Sequence, residues 1–275
     1  MTTFRLLSFT LVLALASCKG NTTATTTEKT TPTVHIKEEA VTYNADTITL
    51  NGFVAYNDSS EAKRPVVLIA PEWWGVTDYP KNRAKQLAEL GYLAFAIDFY
   101  GNGATADNPD DAGKLAMPFY KDPQLAKQRF DAALAKIKTY PQADTTNIAA
   151  IGYCFGGGMV LNMARLGEDL KGVVSFHGSL VGVPPVKGKT KANVLVCHGE
   201  VDVFVTPEEV AKFKSQMDSA GVAYTFKSYP NATHAFTNPG ANEKAAKFKM
   251  PIAYNAAADT ASFKDMQEFF GLIFK

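Results

Sequence analysis

"NIAAIGYCFGGGMVLNMARLG", residues 147–167, changes its pattern halfway. The first part, "NIAAIGYC" (147–154), is a short, mostly apolar run of the kind found in strands buried on both faces. The second, "GGMVLNMARLG" (157–167), reads as a helix. Between them Gly152-Tyr153-Cys154-Phe155-Gly156 has the form glycine–x–nucleophile–x–glycine. Small residues flank the central position because a sharp strand-to-helix turn leaves no room for side chains. Helix N-terminal amides beside a cysteine favour its thiolate. The same five residues also suit a buried cysteine whose glycines serve close packing alone.

The pattern repeats outward from this unit. "RPVVLIAPEWWG" (64–75), "YLAFAID" (92–98), "KGVVSFHG" (171–178) and "ANVLVCHG" (192–199) hold further buried strands, and "AYTFKSYP" (223–230) a last one. "TITLNGFVAYN" (47–57) alternates as a half-exposed strand does. Helices are predicted over 79–91, closed by Gly91, and over 122–140, with Asp122 as cap and Pro123 at the first position. Two more are predicted over 206–221, capped by Thr206, and 259–274. The Gly-, Asn- and Asp-rich stretch 99–121 reads as a long loop. Strands alternating with helices predict an α/β fold, a mostly parallel sheet wound with helices on both faces. Sites in such folds gather at the carboxyl ends of the strands.

Two further side chains fall at those ends. Asp202 follows the strand "VLVCHG", and His234, in "NATHAFTN", follows "YTFKSYP". In chain order nucleophile, acid, base, a neutral His234 could take the Cys154 proton while Asp202 holds the imidazole. Asp202 also suits a turn, and His234 a polar loop. His177 is the rival base; His198, close to Asp202 in sequence, reads as packing beneath the acid loop. Glu72 lies beside Trp73 and Trp74 in another loop at this edge, where it could equally be structural. Consecutive side chains usually diverge, so one tryptophan, Trp74, is expected to wall a substrate pocket.

"PEWWG", "GYCFGGG", "HGEVDVFV" and "THAF", in this order, resemble the dienelactone hydrolase family of the α/β-hydrolase fold, and "YNAAADTASFKDMQEFF" resembles its terminal segment. The likeness spans roughly residues 45–275. It implies hydrolysis of an ester or lactone by a Cys154–Asp202–His234 triad through an acyl thioester. It further implies an oxyanion hole from the Phe155 and Trp73 amides, and a Glu72 that faces Cys154 and helps activate the thiol. No cofactor is implied. The family also uses arginines to hold a substrate carboxylate, one of them shortly after the histidine. Here Asn238 stands there as a substrate-binding candidate, and 99–121 has no arginine. Lys81, Lys114 and Lys121 are the cations that could substitute, though each suits solvated surface. A neutral ester, such as an acyl group on a sugar or other hydroxylated compound, is therefore expected over a small carboxylate-bearing lactone, with Glu72 unrestrained and free to bind a substrate hydroxyl. A thiol-dependent thioesterase or amidase, and a binding protein that keeps the cleft without turnover, are the alternatives.

The ends and the composition complete the reading. Arg5 precedes an apolar run too short to span a bilayer, a signal peptide over 1–17. "LASC" (15–18) resembles the bacterial lipobox, which implies lipid on Cys18; an ordinary secretory cleavage near "ALA" is the alternative. Residues 18–40 read as a Thr-rich tether with too few apolar groups to offset ordering entropy. Residues 41–275 are assigned to the hydrolase domain. The expected place is a bacterial cell envelope, periplasmic or outer-membrane, held by the N-terminal lipid, and the expected state is a monomer. With 28 basic and 27 acidic residues, no basic stripe points to nucleic acid. Scattered histidines and no CxxC or HExxH leave a metal site unsupported.

Overall fold

The sheet is built from runs that are apolar at consecutive positions because both of its faces are covered. In a computed structural model, which describes Met1 and residues 35–275, alternate residues of one strand enter opposite cores. Val66 and Leu68 join one and Val67 and Ile69 the other; Ile148 and Ala150 oppose Ala149 and Ile151 in the same way. The signal segment, Cys18 and most of the tether lie outside the described residues.

The strands are β1 (Ile36–Ala45), β2 (Ile48–Asn57), β3 (Arg64–Ala70), β4 (Leu93–Ala96), β5 (Ala143–Tyr153), β6 (Gly172–Phe176), β7 (Asn193–Gly199) and β8 (Tyr224–Tyr229). Among the described residues they form one eight-stranded sheet in the order β1-β2-β4-β3-β5-β6-β7-β8. β1 and β2 pair antiparallel, as do β2 and β4, and every later pairing is parallel. The helices are α1 (Asp78–Glu89), α2 (Pro109–Lys121), α3 (Pro123–Ile137), α4 (Phe155–Leu166), α5 (Pro207–Ser219), α6 (Ala241–Phe248) and α7 (Ala256–Ile273). Phe130 of α3, Met159 of α4 and Phe213 of α5 enter one core; Leu87 of α1 and Phe270 of α7 enter the other.

Local chemistry sets several boundaries. Asp122 caps α3 by accepting from the Gln124 amide, and Thr206 and Glu209 form a reciprocal capping box on α5. Gly91, at φ 95°, follows α1 in the left-handed region that a glycine enters without Cβ strain.

Three expectations need correction. The stretch 99–121 is not a loop throughout: Asn108 accepts from the Asp111 amide and starts α2, whose Ala112, Ala116 and Phe119 are buried. The tether ends earlier than residue 40, since β1 begins at Ile36. α6, which carries no side-chain cap, was not foreseen.

The loop after β4 is pinned by one buried carboxylate. Asp98 Oδ2 accepts from the Asn51 and Gly103 amides at 3.0 and 2.9 Å, and Oδ1 from Tyr100 and Gly101 at 2.9 and 3.0 Å. This ties β2 to the segment that leads into α2.

Candidate active site

β5 delivers Cys154 to the carboxyl edge and α4 leaves from it. Cys154 has φ 52° and ψ −115°, a conformation that L residues rarely adopt. The flanking glycines explain how the turn closes. A Cβ on Gly152 would lie 2.1 Å from the Gly156 carbonyl oxygen, and one on Gly156 would lie 2.2 Å from that of Ala70. Cys154 is half-buried and opens onto a cavity of about 290 Å³. Phe155 is the first residue of α4, where N–H groups have no intrahelical partner. Neither its N–H nor that of Trp73 has a protein acceptor among the described residues. Tyr100 fixes the Trp73 loop by donating its hydroxyl to the Trp73 carbonyl at 2.9 Å.

His234 and Asp202 meet as expected. His234 Nδ1 lies 2.8 Å from Asp202 Oδ2, and Asp202 Oδ1 accepts from the Phe204 amide at 2.9 Å. His234 lines the cavity with Cys154. Burial opposes its charge, but the neighbouring Cys154 sulfur and then Asp202 outweigh burial and hold its pKa up at about 10. This setting favours the imidazolium of His234 over the neutral ring expected from the sequence.

His177 is not placed as a base. Its Nδ1 accepts from the Cys154 amide at 3.1 Å, so Nε2 carries the proton and donates to Thr237 Oγ1 at 2.7 Å. Burial, then the charge on His234, pushes its pKa well down. It props the turn from behind as a neutral ring. His198 is buried at the end of β7, where burial also lowers its pKa.

Glu72 and both tryptophans line the cavity, Trp73 half-buried and Trp74 buried. Glu72 is 4% exposed, and burial raises its pKa to about 7 against the opposing hydrogen bond from Asn238. That bond, Asn238 Nδ2 to Glu72 Oε2 at 2.6 Å, corrects two expectations. Glu72 is restrained, by a neutral amide. Asn238 is buried and is not among the cavity-lining residues, so it positions Glu72 and does not face substrate. None of the three candidate lysines lines the cavity. Lys114 pairs with Asp111 at 2.8 Å and Lys81 with Asp78 at 3.7 Å, while Lys121 is exposed.

Sequence reasoning missed most of the walls: Met117 and Tyr120 of α2, Ser179, Phe204, Val205, Met250 and Ile252. Phe204 was in the quoted motif "HGEVDVFV", and its position two residues past the acid was the available signal. Among the described residues no three His, Cys, Asp or Glu side chains gather as a metal-binding group.

Comparison with known proteins identifies the family and the fold. The model of the dienelactone hydrolase family matches residues 50–274. A protein of Aquifex aeolicus (strain VF5), provisionally named a carboxymethylenebutenolidase, is 30% identical over 73% of this chain and 87% of its own. The crystal structure of a dienelactone hydrolase-like promiscuous phosphotriesterase from metagenomic libraries is similar with a TM-score of 0.81. It is 30% identical, over 86% of this chain and 98% of its own. An acylaminoacyl peptidase of Pyrococcus horikoshii, 16% identical, shares the fold with a TM-score of 0.60 over 74% of this chain and 38% of its own.

Proposed function

The chain belongs to the dienelactone hydrolase family and is a hydrolase with the α/β-hydrolase fold, and from that premise we propose that it cleaves a neutral ester or lactone through Cys154. The observation that carries this reading is the 2.8 Å contact of His234 with Asp202, made at the cavity where the strained Cys154 turn opens.

In the proposed sequence the Cys154 thiolate attacks the carbonyl carbon while His234 is an imidazolium. The oxygen gains charge and is met by the Phe155 and Trp73 amides. Collapse breaks the carbon–oxygen bond, and His234 gives its proton to the leaving alkoxide. The acyl group stays on sulfur as a thioester. His234, now neutral, takes a proton from water, whose oxygen attacks the thioester and returns the thiolate.

The cavity walls support a neutral substrate. Among the described residues no lysine or arginine lines the cavity, and Glu72 is the single carboxyl there. A buried substrate carboxylate without a paired cation costs several kcal/mol. Glu72, with a pKa near 7, can donate to or accept from a substrate hydroxyl.

The test is a hydrolysis screen of short esters and lactones, including pairs that differ by one added carboxylate. Cys154→Ala and His234→Ala are each expected to lower kcat by at least three orders of magnitude. The neutral member of each pair is expected to have the higher kcat/KM. Full turnover by Cys154→Ala would falsify the nucleophile assignment, and a tenfold preference for the anionic member would overturn the substrate class.

We also propose lipid attachment at Cys18 and residence in a bacterial envelope, supported by "LASC" after the apolar run and by the Thr-rich segment behind it.

A further inference from the structure

Three large apolar side chains stand half in water around one opening: Met117 is 47% exposed, Tyr120 44% and Phe204 49%. All three also line the cavity that holds Cys154. Scattered exposed apolar residues need no explanation, but a ring of them at a cleft mouth marks a surface that something apolar covers.

The chemistry fixes which part of a substrate reaches which side. This step rests on Cys154 being the nucleophile. The carbonyl oxygen must point to the Phe155 and Trp73 amides. The leaving oxygen must reach His234 Nε2, because Nδ1 is already bound to Asp202 at 2.8 Å. The alcohol portion therefore lies against the groups around His234. Phe204 is the nearest large one, its ring 5.1 Å from the imidazole and edge-on to it. Ile252, whose backbone bridges to that of His234, lies on the same side. The acyl portion leaves the carbonyl carbon in the other direction, toward α2. There the Tyr120 ring packs edge-on at 5.5 Å against the ring of Phe155, the residue after Cys154, and Met117 lies one turn of α2 away; both line the cavity with Cys154.

We infer that the reacting carbonyl divides the cleft into an alcohol side walled by Phe204 and an acyl side walled by Met117 and Tyr120, so that the substrates are neutral esters with an apolar group on each side of the bond.

The two sides differ in kinetics. The alcohol departs before the thioester is hydrolysed, so Phe204 acts on acylation only. The acyl group stays through both steps, so Met117 and Tyr120 act on acylation and deacylation.

The test uses the full chain with four esters: methyl acetate, benzyl acetate, methyl hexanoate and benzyl hexanoate. Phe204→Ala is expected to lower the benzyl-over-methyl preference in kcat/KM by about tenfold or more, and to move the hexanoyl-over-acetyl preference by less than about threefold. Met117→Gln, which keeps length and adds polarity, is expected to do the reverse and to change the hydrolysis rate of the hexanoyl thioester. Phe204→Leu, which keeps an apolar side chain in a tolerant position, is expected to recover part of the benzyl preference. Mass spectrometry of the quenched enzyme separates the two levels of the proposal. An acyl group on Cys154 with both variants shifting the same preference overturns the division of the cleft alone. Turnover with no acyl group on Cys154 overturns the nucleophile beneath it.

Discussion

Cys154, Asp202 and His234 could be read from the chain because each is a reactive side chain just past a buried strand, in a fixed order. Their protonation could not, because it depends on burial and on neighbours that only folding assembles. Glu72 illustrates this most directly. Nothing in "PEWWG" says that the carboxyl is 4% exposed or that Asn238, far along the chain, donates to it. Burial raises its pKa from 4.5 to about 7, so between those values the folded state binds a proton that the unfolded chain has released. Stability therefore falls as pH rises through that window, and the deficit persists above it. Glu72→Gln, which keeps an acceptor for Asn238, is expected to gain about 3 kcal/mol on the parent between pH 4 and pH 8. Urea midpoints of both proteins at the two pH values measure this. An equal difference at both would show that Glu72 titrates normally.

At the scale of elements, the parallel strands were legible because continuous apolar runs have one good explanation in a domain of this size, burial on both faces. β1 escaped notice because it lies at the sheet edge, where Val41, Tyr43 and Ala45 are buried and charged Lys37, Glu38 and Glu39 precede them. α2 was hidden by a Gly- and Asp-rich approach, although Asn108, Pro109 and the spacing of Ala112, Ala116 and Phe119 carried the signal. The loop before it depends on Asp98, which no motif announced. Removing its four amide bonds leaves donors without that acceptor, on buried Gly101, half-buried Tyr100 and Gly103 and exposed Asn51, around a carboxylate that is itself buried. Asp98→Ala is expected to cost roughly 3–5 kcal/mol in chemical denaturation. It should also lower kcat, because Tyr100 follows Asp98 and holds the Trp73 loop. A stable variant with unchanged turnover would show that the loop is fixed by other contacts.

For the whole molecule, the amino-terminal assignment is independent of the hydrolase fold and stands on residues 1–33 alone. A single acyl chain binds membranes marginally, whereas a fully lipidated lipoprotein cysteine carries enough chains for stable attachment. Cys18→Ser, expressed in a bacterial host, is expected to move from the detergent phase to the aqueous phase while retaining esterase activity. Unchanged partitioning would refute the lipid. The distribution of backbone strain across the folded domain has a further consequence. Asp46, Asn102, Asn231 and His177 have positive φ values in a side-chain class that tolerates them, and Lys249 takes one at the left-handed C-cap of α6, but Cys154 and Ala235 do so with no such excuse. Both line the cavity, one as the nucleophile and the other next to the base His234. Each such residue costs about 1–3 kcal/mol, which the rest of the fold must offset. Selection for thermal robustness alone would replace them with glycine, and at position 154 that change would remove the sulfur. Durability and turnover are thus opposed at the same peptide, and a more heat-resistant version of this protein has to be sought away from the catalytic edge.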